Sequence, residues 1–239
     1  MHGYERILNY DGEHMNPALR KLLKELLFRA PVSVRRYFFP GYEYQMRPSQ
    51  LCFLCECVEQ TRNVPGAVVE VGCAFGTTTL FLAQYMDAQE IEKDYYALDT
   101  FSGFVQEDIE HEVLQRGKPR SEYTGRFVAN KQAWFDDTMR IHDVQWVRSI
   151  QADANRFDFS TLGPIAFCLL DLDLYRPIHS SLAALHAALS PGGRLVVDDC
   201  DPANTRWDGA DQAYKEFCNK IGCAPRVVLG KLGVIEKAG

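Results

Sequence analysis

Apolar positions along the chain follow two rhythms. Residues 17–29, PALRKLLKELLFR, place Leu19, Leu22, Leu23, Leu26 and Leu27 at helical spacing, and a second helical pattern runs from residue 48 to about Arg62, where Pro65 and Gly66 punctuate it. Beyond that point short apolar runs alternate with helical stretches. The runs are AVVEVG, DYYALDTF, VQWVRSIQ, IAFCLLDLD and GRLVVDD. Between them lie TTTLFLAQYM and SSLAALHAAL, the latter ended by SPGG. Near-continuous apolar strands separated by helices predict a parallel sheet covered on both faces. The closing pair RVVLG and LGVIE, joined at Gly230–Lys231, predicts an antiparallel hairpin. The fold class is therefore α/β, a doubly wound, mostly parallel seven-stranded sheet.

Two segments do not fit this alternation. Residues 35–48, RRYFFPGYEYQMRP, are dense in aromatics and arginine and read as a loop or cap, which makes 1–45 a helical and aromatic cap before a domain over 46–239. Residues 103–143 are too long for a simple crossover and carry a charged, glycine-containing middle; they read as a lid-like insertion or a surface excursion. The leucine face of 17–29 reads as a packing helix or, less simply, a membrane-surface one.

With 239 residues, 46% of them hydrophobic, the chain can bury a full core, and its composition argues against disorder. Its net charge of −6 and the absence of a basic run argue against nucleic acid and anionic membrane as partners. No apolar segment approaches the ~20 residues that span a bilayer. The first residues show no charged-then-apolar leader, so a cytoplasmic location is expected. The eight cysteines lie mostly in apolar contexts, and LCFLCECV sits inside a helical pattern with no second pair at zinc spacing, so free packed thiols are expected.

The candidate chemistry lies where strands end. In such sheets ligands bind at the carboxyl ends of strands, at the switch in strand order. The first strand ends VVEVGCAFGTTT: Glu70 at its end, Gly72 and Gly76 for a tight turn with Ala74 between them, then Thr77 and Thr78 opening a helix. The spacing G-x-A-x-G is not the dinucleotide pattern G-x-G-x-x-G, and an acid before the turn disfavours a pyrophosphate. Asp99, at the end of the second strand and twenty-nine residues beyond Glu70, can accept hydrogen bonds from ribose hydroxyls. Together these point to a nucleoside with a cationic tail. The fourth strand ends in Asp171 and Asp173, and the fifth in Asp198 and Asp199. Four carboxylates at apolar strand ends either lie in water or share a cation.

EVGCAFGTTT resembles the first motif of class I S-adenosylmethionine-dependent methyltransferases. ALDTFSGF, DLDLY, SPGGRLVVDD and RWDGADQAYKEF are similar to segments of the macrocin O-methyltransferase (TylF-like) family, over roughly residues 45–239. The resemblance implies that Glu70, Gly72 and Gly76 flank the methionine part of S-adenosylmethionine, that Asp99 holds the ribose, and that Ala152 and Asp153 lie beside the adenine. It also implies a divalent cation, usually Mg²⁺, held by Asp171, Asp198 and Asp199; all-oxygen ligands suit that ion. A metal-activated hydroxyl then loses its proton to Asp171 or Asp173. Asp173 also reads as a support for the ligands or as a helix N-cap. Catechol-type relatives carry a lysine three residues after the first metal aspartate, where this chain has Leu174.

The implied activity is a metal-dependent O-methyltransferase acting on a small hydroxyl acceptor, a natural-product sugar or, alternatively, an aromatic diol. A nicotinamide oxidoreductase would need a glycine fingerprint the chain lacks, and a non-catalytic nucleoside-binding domain would not need four carboxylates together. Arg47 and Gln50 are candidates for the methionine carboxylate, His142 and His179 for substrate contact, and Trp207 and Asp208 for the acceptor pocket. A homo-oligomer remains open.

Overall fold

A computed structural model describes residues 16–31 and 44–238. The chain divides into two compact units, Met1–Tyr44 and Gln45–Gly239. In the first, helix α1 (Pro17–Phe28) starts at Asn16, whose side-chain oxygen accepts the Ala18 N–H at 2.8 Å, with proline at the first helical position. Leu19, Leu22 and Leu26 of its leucine stripe are about half exposed. Residues 35–43 of the expected aromatic cap lie outside the described residues.

Among its described residues the second unit carries six α-helices and five strands before its terminal hairpin. In chain order they are α2 (Pro48–Gln60), β1 (Ala67–Val71), α3 (Thr77–Ala88), β2 (Tyr95–Asp99), α4 (Gln106–Leu114), α5 (Gln132–Ile141), β3 (Arg148–Gln151), β4 (Ile165–Leu170), α6 (Tyr175–Ala188), β5 (Leu189–Val197), α7 (Asp208–Ile221), β6 (Val227–Val228) and β7 (Leu232–Glu236). The seven strands form one sheet in the order β3-β2-β1-β4-β5-β7-β6. All pairings from β3 to β5 are parallel; β7 runs antiparallel to β5 and β6 antiparallel to β7. The sheet class and the hairpin expected from the pattern are both present.

The centre of the sheet explains its sequence. Every residue of β1 and β4 is buried, as parallel strands covered on both faces must be. Ala67, Val69 and Val71 of β1 and Ile165, Cys168 and Leu170 of β4 join Ile178, Leu182 and Leu185 of α6 and Ala213, Tyr214 and Phe217 of α7 in one core. Each such Val, Leu or Ile removed from water contributes roughly 1.5–3 kcal/mol before entropy is subtracted. β3 is shorter than its apolar run implied, because it is the sheet edge and only Arg148–Gln151 ladder with β2. α6 ends at Ala188, just before the SPGG stretch as expected, and that stretch already belongs to β5, whose register against β4 shifts between Ile165 and Phe167. Among the described residues no helix is long and apolar enough to cross a membrane. All eight cysteines are free thiols, and Cys55, Cys57, Cys73, Cys168, Cys200 and Cys218 are buried.

The 103–143 segment holds α4, a short 3₁₀ turn over Arg120–Glu122 and α5. It is bound to the body by charge. Glu112, buried in α4, accepts the Tyr175 N–H at 2.9 Å and so caps α6, while its other oxygen meets Arg116 at 2.9 Å. Arg116 and Lys118 both reach Asp208 at the start of α7, at 2.7 and 2.6 Å.

Candidate functional site

The chain proceeds from β1 outward to β2 and β3, then returns to β4 on the other side of β1, so the strand order switches between β1 and β4. A half-open cavity lies there. Its lining includes Gly72, Ala74, Asp99, Phe104, Asp153, Asp171 and Asp173.

One half of the cavity is built from backbone. Gly72 follows β1 at φ +93°, and a Cβ there would lie 1.7 Å from the Asp171 carbonyl oxygen, so only glycine lets the ends of β1 and β4 approach this closely. Ala74 is left-handed at φ +46°. It is held from both sides: its N–H donates to Asp99 Oδ2 at 2.9 Å, and its carbonyl accepts from Asn130 Nδ2 at 2.8 Å. Asp99 Oδ1 accepts the Phe101 N–H at 2.7 Å. Burial pushes the Asp99 carboxyl up, opposed by these N–H donors.

Glu70 is not among the lining residues. It is 2% exposed inside β1, and Oε2 accepts the hydroxyls of Thr79 at 2.6 Å and Tyr95 at 2.7 Å. Burial raises its carboxyl to about 7, with the two hydroxyls acting against the rise. Glu70 thus fastens β1 to α3 and β2 beneath the site. Gly76, Thr77 and Thr78 begin α3 without lining the cavity. Ala152 donates its N–H to the Asp99 carbonyl at 3.0 Å and lines a shallower recess beside it, together with Asp153. Asp153 accepts from the N–H and the side-chain amide of Asn155, both at 2.9 Å. The same amide donates to Asp108, a buried, cavity-lining residue of α4 that also pairs with Arg176 at 2.9 Å. Burial lifts Asp108 to about 6, with Asn155 and Arg176 opposing.

The other half is built from charge: Asp171 and Asp173 line the cavity, and Asp198 and Asp199 stand behind them, outside the lining. Asp171, Asp173 and Asp199 bring carboxylate oxygens within 4.8 Å of one another, a grouping able to hold a metal ion. Asp173 and Asp199 both sit at positive φ, +60° and +57°, a conformation that costs non-glycine residues about 1–3 kcal/mol. Burial raises Asp171 and Asp173 well above the ordinary carboxylate range, and the neighbouring carboxylates push in the same direction. Asp198, 3% exposed, takes a different partner: Oδ2 lies 2.6 Å from Lys231 Nζ, while Oδ1 is buried with no hydrogen-bond partner. Lys231 is also 3.6 Å from Asp199. Burial works against its ammonium, but Asp198, Asp171 and Asp199 together push its pKa up. The geometry therefore gathers Asp173 with Asp171 and Asp199, and holds Asp198 to a lysine. At the start of α6 the N-cap is Leu174, not Asp173.

An aromatic wall adjoins the cavity. Phe104 meets Phe127 edge-on at 5.4 Å and Trp207 at 6.0 Å, and Trp207 meets Tyr123 at 5.7 Å. The Arg126 and Arg206 guanidiniums lie 5.7 and 5.9 Å from the Trp207 ring. The other candidates are elsewhere. Gln50 is buried between the Arg47 N–H and the Leu229 carbonyl, His179 stacks on Tyr175 at 5.3 Å, His142 ends α5, and none of them lines the cavity.

Lys231, Asn130 and Asp108 were not singled out from sequence. For Lys231 the sequence holds no local signal, because a strand pairing brings it to the site. β5 and β7 pair Val197 with Gly233, and just beyond the strand end the Cys200 N–H donates to the Lys231 carbonyl at 2.7 Å.

The sequence profile described as "Macrocin-O-methyltransferase (TylF)" matches residues 40–225. A curated relative from Streptomyces olivaceus, "8-demethyl-8-(2,3-dimethoxy-alpha-L-rhamnosyl)-tetracenomycin-C 4'-O-methyltransferase", is 26% identical over 155 residues. That alignment covers 60% of this chain and 57% of the relative, so the chain spans little more than half of the relative's length. Among solved structures, "CalS11, Calicheamicin Methyltransferase" has a TM-score of 0.66 at 21% identity, covering 93% of this chain and 94% of that one. The "O-methyltransferase NovP" also has a TM-score of 0.66, at 19% identity over 83% and 84% of the two chains. At these identities the two structures speak to the fold.

Proposed function

The chain belongs to the macrocin O-methyltransferase (TylF) family, with the fold of S-adenosylmethionine-dependent methyltransferases, and from that premise we propose that it methylates a hydroxyl of a natural-product sugar with the help of a divalent cation. The observation that carries this reading is the meeting of two half-sites in one cavity: a glycine turn with a ribose-type acid, and a carboxylate cluster whose groups lack enough positive charge. A sugar acceptor is supported by the curated relative, whose name places its methyl group on a rhamnosyl unit. It is also supported by the aromatic wall of Phe104, Phe127 and Trp207, since flat aromatic faces suit the C–H surface of a sugar ring.

The residues fit both bound groups. Gly72, Ala74, Asp99 and Asp153 would hold S-adenosylmethionine, and Asp171 and Asp199 would hold the cation together with Asp173 or the unpartnered Oδ1 of Asp198. When bound, S-adenosylmethionine supplies an electrophilic methyl group and the cation lowers the pKa of the acceptor hydroxyl. The chain's own work is positioning and proton removal. Asp99, fixed by two backbone N–H groups, keeps lone pairs for the ribose hydroxyls. A carboxylate oxygen of Asp173, which lines the cavity beside Asp171 and Asp199, takes the proton from the acceptor hydroxyl. Leu174 is buried against Ile109 and Tyr123 and offers no base, which leaves this role with the aspartates.

Calorimetric titration of Mg²⁺ into protein saturated with S-adenosylhomocysteine tests the cation. Binding is expected for the wild type and is expected to weaken strongly in Asp171→Ala and Asp199→Ala; unchanged binding in both variants rules out the carboxylate site. Mass analysis of rhamnosyl acceptors incubated with enzyme and S-adenosylmethionine tests the reaction, the expected product being heavier by one methylene.

A further inference from the structure

Asp171, Asp173, Asp198 and Asp199 would carry four negative charges if all were ionised. A divalent cation leaves that set two charges short of neutral. The protein supplies part of the remainder itself, through Lys231.

Lys231 is not a loose surface lysine. Its side chain is 23% exposed and ends 2.6 Å from Asp198 Oδ2 and 3.6 Å from Asp199 Oδ1. The turn that presents it is fixed at several points. Leu229 and Gly230 adopt φ +51° and +86°, the pattern of a type I′ hairpin turn, closed by the Lys231 N–H on the Val228 carbonyl at 3.3 Å. The Lys231 carbonyl accepts the Cys200 N–H at 2.7 Å, directly after the two aspartates. The Leu229 carbonyl accepts from the buried Gln50 side chain at 3.1 Å. Leucine in a left-handed turn position is unfavourable, and glycine or asparagine would serve a plain hairpin better. The hairpin is thus held in a register that delivers an ammonium to the carboxylates.

We propose that Lys231 is a positioning residue that sets the cation affinity of the carboxylate site, holding Asp198 and repelling an incoming divalent ion so that metal binding stays weak and reversible. The inference rests on the cation reading given above. Its physical basis is charge alone: a fixed positive group a few ångströms from a bound cation opposes it, most strongly in a partly buried site where water screens little. Removing the ammonium leaves Asp198 with two unpartnered oxygens beside the cluster. The site then gains attraction for a divalent ion and loses stability without one.

The test uses the full chain saturated with S-adenosylhomocysteine and Mn²⁺ as the probe, read by calorimetry or electron paramagnetic resonance. Lys231→Met is expected to bind Mn²⁺ at least about tenfold more tightly than wild type, and Lys231→Arg to stay near wild type. Lys231→Gln, which keeps a donor for Asp198 without the charge, is expected to follow Lys231→Met and serves if the methionine variant does not fold. Without cation both neutral variants are expected to melt below wild type, and saturating Mn²⁺ to raise their Tm more than it raises that of wild type. If wild type binds Mn²⁺ and the neutral variants bind equally or less tightly, the inference about Lys231 is overturned while the cation site stands. If only the neutral variants bind, Lys231 excludes the ion and cation dependence of the native reaction fails instead. If neither binds, both are overturned.

Discussion

The two halves of the cavity are built on opposite plans. At the ends of β1 and β2 the polar groups are satisfied by the protein itself: Asp99 accepts two backbone N–H groups and Glu70 accepts two hydroxyls. At the ends of β4 and β5 the carboxylates crowd one another, two of them sit in left-handed backbone, and Asp198 Oδ1 has no partner. The first half is stable as it stands and can wait for a ligand in its final shape. The second half stores charge repulsion and backbone strain that a cation would relieve. A site can therefore be preformed for one ligand and frustrated for another within a single cavity.

The largest expected effect falls on the charged half. Asp173→Asn should lower kcat by about 10²–10⁴, the range for loss of a general base, with little change in S-adenosylhomocysteine affinity. A loss in cofactor affinity of the same size would show that the two halves are not separable. Gly72→Ala strikes where the halves touch. With its Cβ 1.7 Å from the Asp171 oxygen and its φ at +93°, it should cost about 4 kcal/mol in urea unfolding, and a wild-type midpoint would show that the ends of β1 and β4 are not in contact.

Glu70 provides a pH test of the satisfied half. Its folded pKa of about 7 exceeds the ordinary 4.5, so the folded state keeps a proton that the unfolded chain releases. Its contribution is complete below about 4.5 and is lost as pH rises through 7. Up to roughly 3 kcal/mol is involved. Glu70→Gln, which titrates in neither state, should flatten that part of the stability–pH curve; a wild-type slope in the variant would place Glu70 in water. The smallest effect is expected at the aromatic wall. Trp207→Ala should raise the acceptor KM about tenfold, near 1.4 kcal/mol, and leave kcat within a factor of a few, since Trp207 stands beside the cavity and not among the carboxylates.

Local pattern determined the sheet. Two fully apolar strands, AVVEV and IAFCLL, separated by amphipathic helices have few ways to bury themselves other than in a parallel sheet. The ends of those strands also marked the chemistry, because carboxylates next to apolar runs must find water, a partner or a cation. Gly72, Ala74, Asp99, Asp153, Asp171 and Asp173 line the cavity where the strand order predicted one. What each acid does there was not legible. Glu70 pairs with Ala97 and so lies two residues deeper in the sheet than Asp99; it bonds Thr79 and Tyr95 inside the body, while Asp99 lines the cavity. Asp198 and Asp199 are neighbours in the chain, yet one goes to Lys231 and the other to the cluster. Depth along the strand separates the first pair and the left-handed backbone of Asp199 the second, so a residue's position in the chain fixes its neighbourhood but not its partner. Lys231 lies thirty-two residues beyond Asp199, and only the antiparallel return of β7 along β5 brings them together. Sequence determined which groups collect at this edge of the sheet; long-range pairing, which closes loops that no local preference can see, decided which of them meet.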